Sequence, residues 1–176
     1  LSTTRAANSA IAKSATMNRA VNGFHTIVMG TEFVTTSQVN AVTLDEDTYL
    51  EINDTKLSGF TVETNDATGT LVDAINAEFK KTGVSASING QGQLVLSADD
   101  GRNIAFRVQG FGGAFAGEAD NTTQVQGGRI QAFSPESFSM SNNLVGAGSN
   151  DISLGGGDLT GTVNVYKTTQ TSVHSL

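Results

Sequence analysis

Residues 70–104 decide the fold: TLVDAINAEFKKTGVSASINGQGQLVLSADDGRNI. The first part of this stretch places Leu71, Ile75 and Phe79 four residues apart, with Val72 beside them. This spacing puts apolar side chains on one face of a helix. The sequence therefore predicts a helix over residues 70–81 whose apolar face packs on a sheet.

Both ends of this helix carry further signals. Thr70 followed by Asp73 resembles a capping box, with Asp where Glu or Gln is usual. Gly83 stands where a left-handed residue commonly ends a helix. Beyond it, apolar and polar residues alternate on both sides of an Asn-Gly-Gln-Gly turn, a pattern typical of a hairpin of half-buried strands. The stretch predicts a helix, a glycine and a hairpin.

A weaker copy of this pattern precedes it. Residues 4–21 are rich in Ala and predict a helix that stops at Gly23. Residues 24–36 then predict one strand or a hairpin broken at Gly30. A shift of 60 residues superimposes Gly23 on Gly83, and both copies contain a helix, a glycine and strands around a second glycine.

The other segments predict short strands. Residues 48–62 alternate in the way of half-buried strands around turn residues. Residues 110–128 are rich in Gly and predict mostly loop. Residues 129–141 predict a hairpin that turns at Ser134–Pro135–Glu136, and residues 145–170 predict one or two strands between glycines.

These segments together predict an α+β fold that is β-rich, with short antiparallel strands and hairpins and about two helices packed on the sheet. We expect a first helix-hairpin unit at 1–47, a second unit at 48–109, and a Gly-rich loop, hairpin and returning strands at 110–176. The three units would form one or two compact subdomains.

The composition excludes several classes of site. The 176 residues include no Cys, which excludes disulfides, thiolate metal sites and Cys nucleophiles. A net charge of −7 without a basic patch argues against nucleic-acid binding. No apolar run approaches the roughly 20 residues that span a bilayer, and no signal peptide is visible.

The sequence offers no constellation of catalytic groups. It has two His, and His25 lies on a predicted strand, where we expect an ordinary packed or solvated side chain. No G-x-S-x-G elbow occurs, and the acidic residues 44–54 lack the pattern of a calcium loop. We therefore expect no enzyme activity, no catalytic residue, no cofactor and no bound metal.

About a third of the chain closely resembles the flagellin IN motif of the central region of bacterial flagellins. The apolar, turn and cap positions that carry the resemblance or build the unit are Ile52, Asn53, Leu71, Ile75, Asn76, Phe79, Gly83, Val84, Asp100, Gly101 and Arg102. Asp54 and Thr55 stand where the family usually has Gly and Val, so the turn there is expected to differ.

The resemblance implies an outer, variable domain of the D2/D3 type, which is a structural part of the extracellular flagellar filament. It implies other flagellin subunits as partners, antibodies or host receptors at the surface, and export without a cleaved signal peptide. Surface glycans are a further implication, with O-linked candidates at Ser134, Ser137, Ser139, Ser141, Thr168 and Thr169. The sequons at Asn53 and Asn121 are expected to be incidental.

Two alternatives stay open. The same motif occurs in filament-cap and hook-associated proteins. A carbohydrate- or host-binding module on the filament is the alternative of another class, although two Tyr and no Trp leave few aromatic side chains for stacking on sugars. Because nothing in the chain resembles the long polymerising helices of flagellins, we expect the isolated chain to be a monomer.

Overall fold

The computed structural model describes residues 9–20, 25–133, 138–141 and 162–165. The first described elements are one helix and six strands: α1 (Ala10–Ala20), β1 (His25–Met29), β2 (Thr31–Gln38), β3 (Val42–Leu44), β4 (Tyr49–Ile52), β5 (Thr55–Leu57) and β6 (Phe60–Val62). The 3₁₀ turn Thr64–Asp66 is followed by α2 (Thr70–Ala77), α3 (Phe79–Thr82), β7 (Ser85–Ile88), β8 (Gln93–Ala98) and β9 (Ile104–Gln109). Then come β10 (Ala114–Phe115), β11 (Glu118–Ala119), β12 (Thr122–Gln126), β13 (Arg129–Phe133), β14 (Phe138–Ser141) and β15 (Thr162–Val165).

Two antiparallel sheets form the centre of the molecule. One has the strand order β12-β9-β4-β5 and the other the order β2-β8-β7. Every second residue of β8 and of β9 is buried, as expected for strands with one face on a core. The rings of Phe33 on β2 and Phe106 on β9 are 5.6 Å apart, which joins the two buried faces in one apolar core.

The segment between β8 and β9 carries the chain from one sheet to the other. Asp100–Gly101 resembles the turn of a hairpin, but β8 and β9 do not pair: β8 pairs with β2 and β7, and β9 pairs with β4 and β12. The helix α2 contributes the fully buried side chains of Leu71 and Ile75 to the same core. Apolar side chains from the two sheets and from α2 thus pack together in one core.

Of the 19 Gly-rich residues 110–128, which were predicted to be mostly loop, ten lie outside strands and nine lie in strands. The strand residues form the hairpin β10–β11 and the edge strand β12. Phe115 is fully buried, and its ring lies 5.1 Å from that of Phe111. The glycines supply turns while the aromatic residues between them fill the core, so glycine content alone did not indicate the short strands.

α1 packs on a separate pair of strands. β1 pairs with β13, in a register that places His25 opposite Phe133. Polar side chains join the helix to the strand: Ser14 Oγ and Thr26 Oγ1 are 2.7 Å apart, and the Asn18 side chain accepts from the Thr26 N–H at 2.6 Å. Ser14 and Thr26 are both buried, so α1 is joined to β1 by a buried polar contact, whereas most of the core is apolar.

Of the two alternatives for residues 24–36, the hairpin is wrong, and so is the pairing of the hairpin predicted at residues 129–141. Strands β1 and β2, on either side of Gly30, pair with β13 and β8 and not with each other. Strands β13 and β14 likewise pair with β1 and β15, and the predicted turn at 134–136 lies outside the described residues. In both cases a strand distant in the sequence supplies the partner.

The predicted fold class is confirmed: the protein is α+β and β-rich, with short antiparallel strands. α1 covers the inner part of the helix predicted at residues 4–21, and β15 falls within the strand region predicted at 145–170. None of the described helices has the length and apolar character needed to cross a lipid bilayer.

Candidate functional site: the motif junction

The signature residues of the 48–109 unit meet at the C-terminal end of α3. We call Asn53, Thr82, Gly83, Asp100 and Arg102 the motif junction. The carbonyl oxygen of Thr82 accepts two hydrogen bonds, from Asn53 Nδ2 at 2.9 Å and from Arg102 Nη1 at 3.0 Å. The last carbonyls of a helix have no partner within it and carry partial negative charge. The junction therefore ties β4, α3 and the β8–β9 connection together.

Asn53 uses its side chain on both sides. Its Nδ2 reaches Thr82, while its Oδ1 accepts from the Ala105 N–H at 2.9 Å and its own N–H donates to the Ala105 carbonyl at 3.0 Å. Asn53 and Asp54 have φ values of 47° and 64°, so they form a tight turn between β4 and β5. Since Nδ2 and Oδ1 of Asn53 both form hydrogen bonds within the chain, the geometry disfavours this sequon as a glycan acceptor.

Arg102 is held by Asp100. Arg102 Nη2 donates to Asp100 Oδ2 at 2.6 Å, and Arg102 Nε lies 3.0 Å and 2.9 Å from the two carboxylate oxygens. The hydrogen bonds from Arg102 are the largest cause that lowers the pKa of the Asp100 carboxyl below its usual value. The ion pair fixes the guanidinium in the position from which it contacts Thr82.

Gly83 lies directly beneath the guanidinium. Its φ of 66° is left-handed, which confirms the predicted conformation at the end of the helix. A Cβ atom at this position would overlap the guanidinium group of Arg102. Two features therefore favour glycine here: the left-handed backbone conformation, and the close approach of a charged side chain that a Cβ would displace.

Asn76 protects an edge of the second sheet. Its Oδ1 accepts from the Ala86 N–H at 2.8 Å, and its Nδ2 donates to the Ala86 carbonyl at 3.2 Å. Ala86 lies on β7, the outer strand of its sheet. The side-chain amide thus takes the place of a neighbouring strand, which is one way in which proteins cover exposed sheet edges.

The start of α2 is capped by a residue that the sequence analysis missed. Asp66 is buried, and its two carboxylate oxygens accept from the N–H groups of Leu71 and Val72, each at 2.9 Å. The capping box predicted at Thr70 is wrong, because the cap residue is Gly69 with no side-chain bond. An Asp a few residues before the apolar pattern was the available signal.

Phe79 is not part of the buried face, contrary to the prediction. Its side chain is 50% exposed, whereas Leu71, Ile75, Ile52 and Val84 are fully buried. The predicted helix is interrupted at Glu78, whose φ of −90° and ψ of 6° separate α2 from α3. The break turns the side chain of the following residue away from the face that the four-residue spacing defines.

The remaining candidate residues fall into two groups. Gly101 lies at the bend before Arg102, with φ 71°, and packs against β1. The glycan candidates Ser134, Ser137, Thr168 and Thr169 lie outside the described residues, and only the backbone is described for Ser139 and Ser141 on β14. All six stay predictions.

The acidic turn after β3 is organised by its own backbone. Asp45 Oδ1 accepts from the N–H groups of Asp47 and Thr48, at 2.9 Å and 2.7 Å. These hydrogen bonds lower the pKa of the Asp45 carboxyl. His25, the candidate on a predicted strand, is an exposed residue of β1. Within the described ranges no three His, Cys, Asp or Glu side chains converge as a metal site would require.

Comparison with known proteins adds two likenesses. The sequence model of the flagellin hook IN motif matches residues 50–100, which contain four of the five residues of the motif junction, while Arg102 lies two residues beyond the match. B-type flagellin of Pseudomonas aeruginosa is 31% identical over 133 residues, which cover 61% of this chain and 26% of that protein. The chain thus spans only part of the length of this relative. It is similar to flagellin, and most specifically so through the hook IN motif.

Proposed function

We propose that this chain is a structural component of a bacterial flagellar filament, and that it forms a surface-exposed domain from the central region of a flagellin. The match of the hook IN motif to residues 50–100 is the observation that carries the proposal. The likeness to B-type flagellin agrees with it. The proposed setting is extracellular, with other flagellin subunits as partners.

The chemistry of the motif junction supports a structural role. Its polar groups satisfy one another and the end of a helix: Arg102 binds Asp100 and Thr82, and Asn53 binds Thr82 and Ala105. A catalytic site needs a nucleophile or base with a free reacting atom within reach of a substrate. In our proposal the motif residues hold a folded unit, the protein has no enzyme activity, and its outer surface displays antigens and glycans.

Immunogold labelling of intact flagella tests the proposal. Antibodies raised against this chain should label filaments along their whole length, and labelling should vanish when the antibodies are first absorbed with the purified chain. Labelling confined to the filament tip would assign the chain to a cap protein. Labelling confined to the hook–filament junction would assign it to a hook-associated protein, and the absence of label on assembled filaments would refute surface exposure.

A further inference from the structure

We propose that β12 is a self-association edge, through which two copies of this chain pair their β12 strands antiparallel. The two central sheets have four outer strands, β12, β5, β2 and β7. An exposed edge offers unpaired N–H and C=O groups to another strand, and proteins usually obstruct such edges. Three of the four edges carry an obstruction, whereas β12 carries none among the described residues.

The obstructions on the three other edges differ in kind. On β7 the Asn76 amide occupies the N–H and C=O of Ala86. On β2 the β10–β11 hairpin accepts the hydrogen bonds of the edge, since Thr36 N–H donates to Glu118 Oε1 and Ser37 N–H to the Ala116 carbonyl. β5 has three residues with a lysine in the middle. Two β5 strands paired antiparallel would place like charges opposite each other.

The hydrogen-bond alternation shows which groups of β12 point outward. The Asn53 N–H donates to the Ala105 carbonyl, so Ala105 and every second residue of β9 direct their peptide groups toward β4. The intervening residues of β9 face Thr122, Gln124 and Gln126 of β12. The peptide groups of the two other β12 residues, Thr123 and Val125, are therefore directed away from the sheet.

β12 suits a second copy of itself. Its five residues, TTQVQ, contain no charged residue and no Pro. In an antiparallel pair centred on Gln124, Thr123 of each copy lies opposite Val125 of the other, and the four outward N–H and C=O groups of each strand bond across a two-fold axis. Thr123 and Val125 are exposed, and Val125 at 64% is more exposed than the other large apolar side chains of the described residues. Pairing would cover these side chains without placing like charges together.

A five-residue strand pair buries little surface, so we expect the chain to be a monomer at low concentration, as its sequence predicts, and to form a weak dimer as concentration rises. Sedimentation velocity on the full chain should show the average mass moving from that of one chain toward that of two between micromolar and millimolar concentration. Hydrogen exchange measured by NMR should show the Thr123 and Val125 amides slowing over the same range, in step with the dimer fraction. A chain that stays monomeric throughout would overturn the proposal.

Matched variants identify the surface. Val125→Lys should remove the concentration dependence, whereas Ile27→Lys, which adds the same charge at a 52% exposed position on β1, should leave it as in the parent chain. Val125→Pro removes an outward N–H without adding charge and should also weaken the dimer. A dimer that survives both Val125 variants, or one that Ile27→Lys abolishes, would refute pairing through β12. So would Thr123 and Val125 amides that are protected at every concentration, because the edge would then be covered within one chain.

Discussion

Substitution of Gly83 by Ala should destabilise the protein in two separable ways. The residue has φ 66° and ψ 20°, and a left-handed conformation costs an L-residue about 1–2 kcal/mol. The added Cβ also overlaps the Arg102 guanidinium, which must move away from Thr82. Loss of a partly exposed charged group at a helix C-terminus costs about 0.3–1 kcal/mol, and the lost hydrogen bond a similar amount. We expect a total of about 2–4 kcal/mol.

Gly69 provides the matched control. It has φ 73° and ψ 7°, close to the conformation of Gly83, and no atom lies within 4 Å of the position of its Cβ. Gly69→Ala should therefore show the backbone cost alone, about 1–2 kcal/mol. The assay is equilibrium urea unfolding followed by circular dichroism, with the slope compared among variants to test that the transition stays the same.

A double-mutant cycle isolates the contact with the guanidinium. In an Arg102→Ala background the Gly83→Ala substitution should cost only its backbone share, which gives an interaction energy of about 1 kcal/mol. Gly83→Ala and Gly69→Ala could instead have equal costs, and the costs of Gly83→Ala and Arg102→Ala could add within about 0.5 kcal/mol. Together these results would show that the position of the guanidinium does not depend on the absence of a Cβ at residue 83. That result would refute the account of the motif junction.

Three further predictions concern single side chains. Asp100 has a lowered pKa in the folded state, so its contribution to stability is present above the unfolded pKa of about 3.9 and is lost as pH falls through the lower folded value. In the Asp100→Asn variant, the free energy of unfolding should therefore vary less with pH in this acidic range, as measured by urea unfolding at a series of pH values. Asn76→Ala should cost about 1 kcal/mol and speed hydrogen exchange at Ala86, and unchanged exchange there would contradict the edge contact. Phe79→Ala should cost under about 1 kcal/mol while Leu71→Ala costs about 2–5, as measured by urea unfolding; similar costs would mean that the ring is buried in solution.

Local patterns were sufficient for part of the fold. The alternation in residues 85–98 predicted the β7–β8 hairpin, because the apolar residues of a strand must all point to one side. The left-handed turn at Gly83 was equally predictable from a glycine after an amphipathic segment. In both cases the cause lies within a few residues of the effect.

The partners of the other strands depend on contacts far along the chain. β1 pairs with β13, and nothing in residues 25–29 distinguishes that partner from the nearer β2. Asn53 and Arg102 meet at the carbonyl of Thr82, from positions 29 and 20 residues away in sequence. Their residue types marked them as motif positions through the resemblance, but the role of each depends on the bend that brings both to the end of α3.

The pairing of His25 with Phe133 also has a mechanical consequence. In the sequence, the elements from β2 to β12 lie between β1 and β13, which pair antiparallel. His25, the first residue of β1, therefore lies opposite Phe133, the last residue of β13. A force that pulls residues 25 and 133 apart acts on this pair from its open end and loads one hydrogen-bonded rung after another. Strands pulled apart in this way break their hydrogen bonds one at a time, whereas strands pulled past each other along their length load all of their hydrogen bonds together. The β1–β13 pair should therefore yield first under tension, while the two central sheets behind it stay folded.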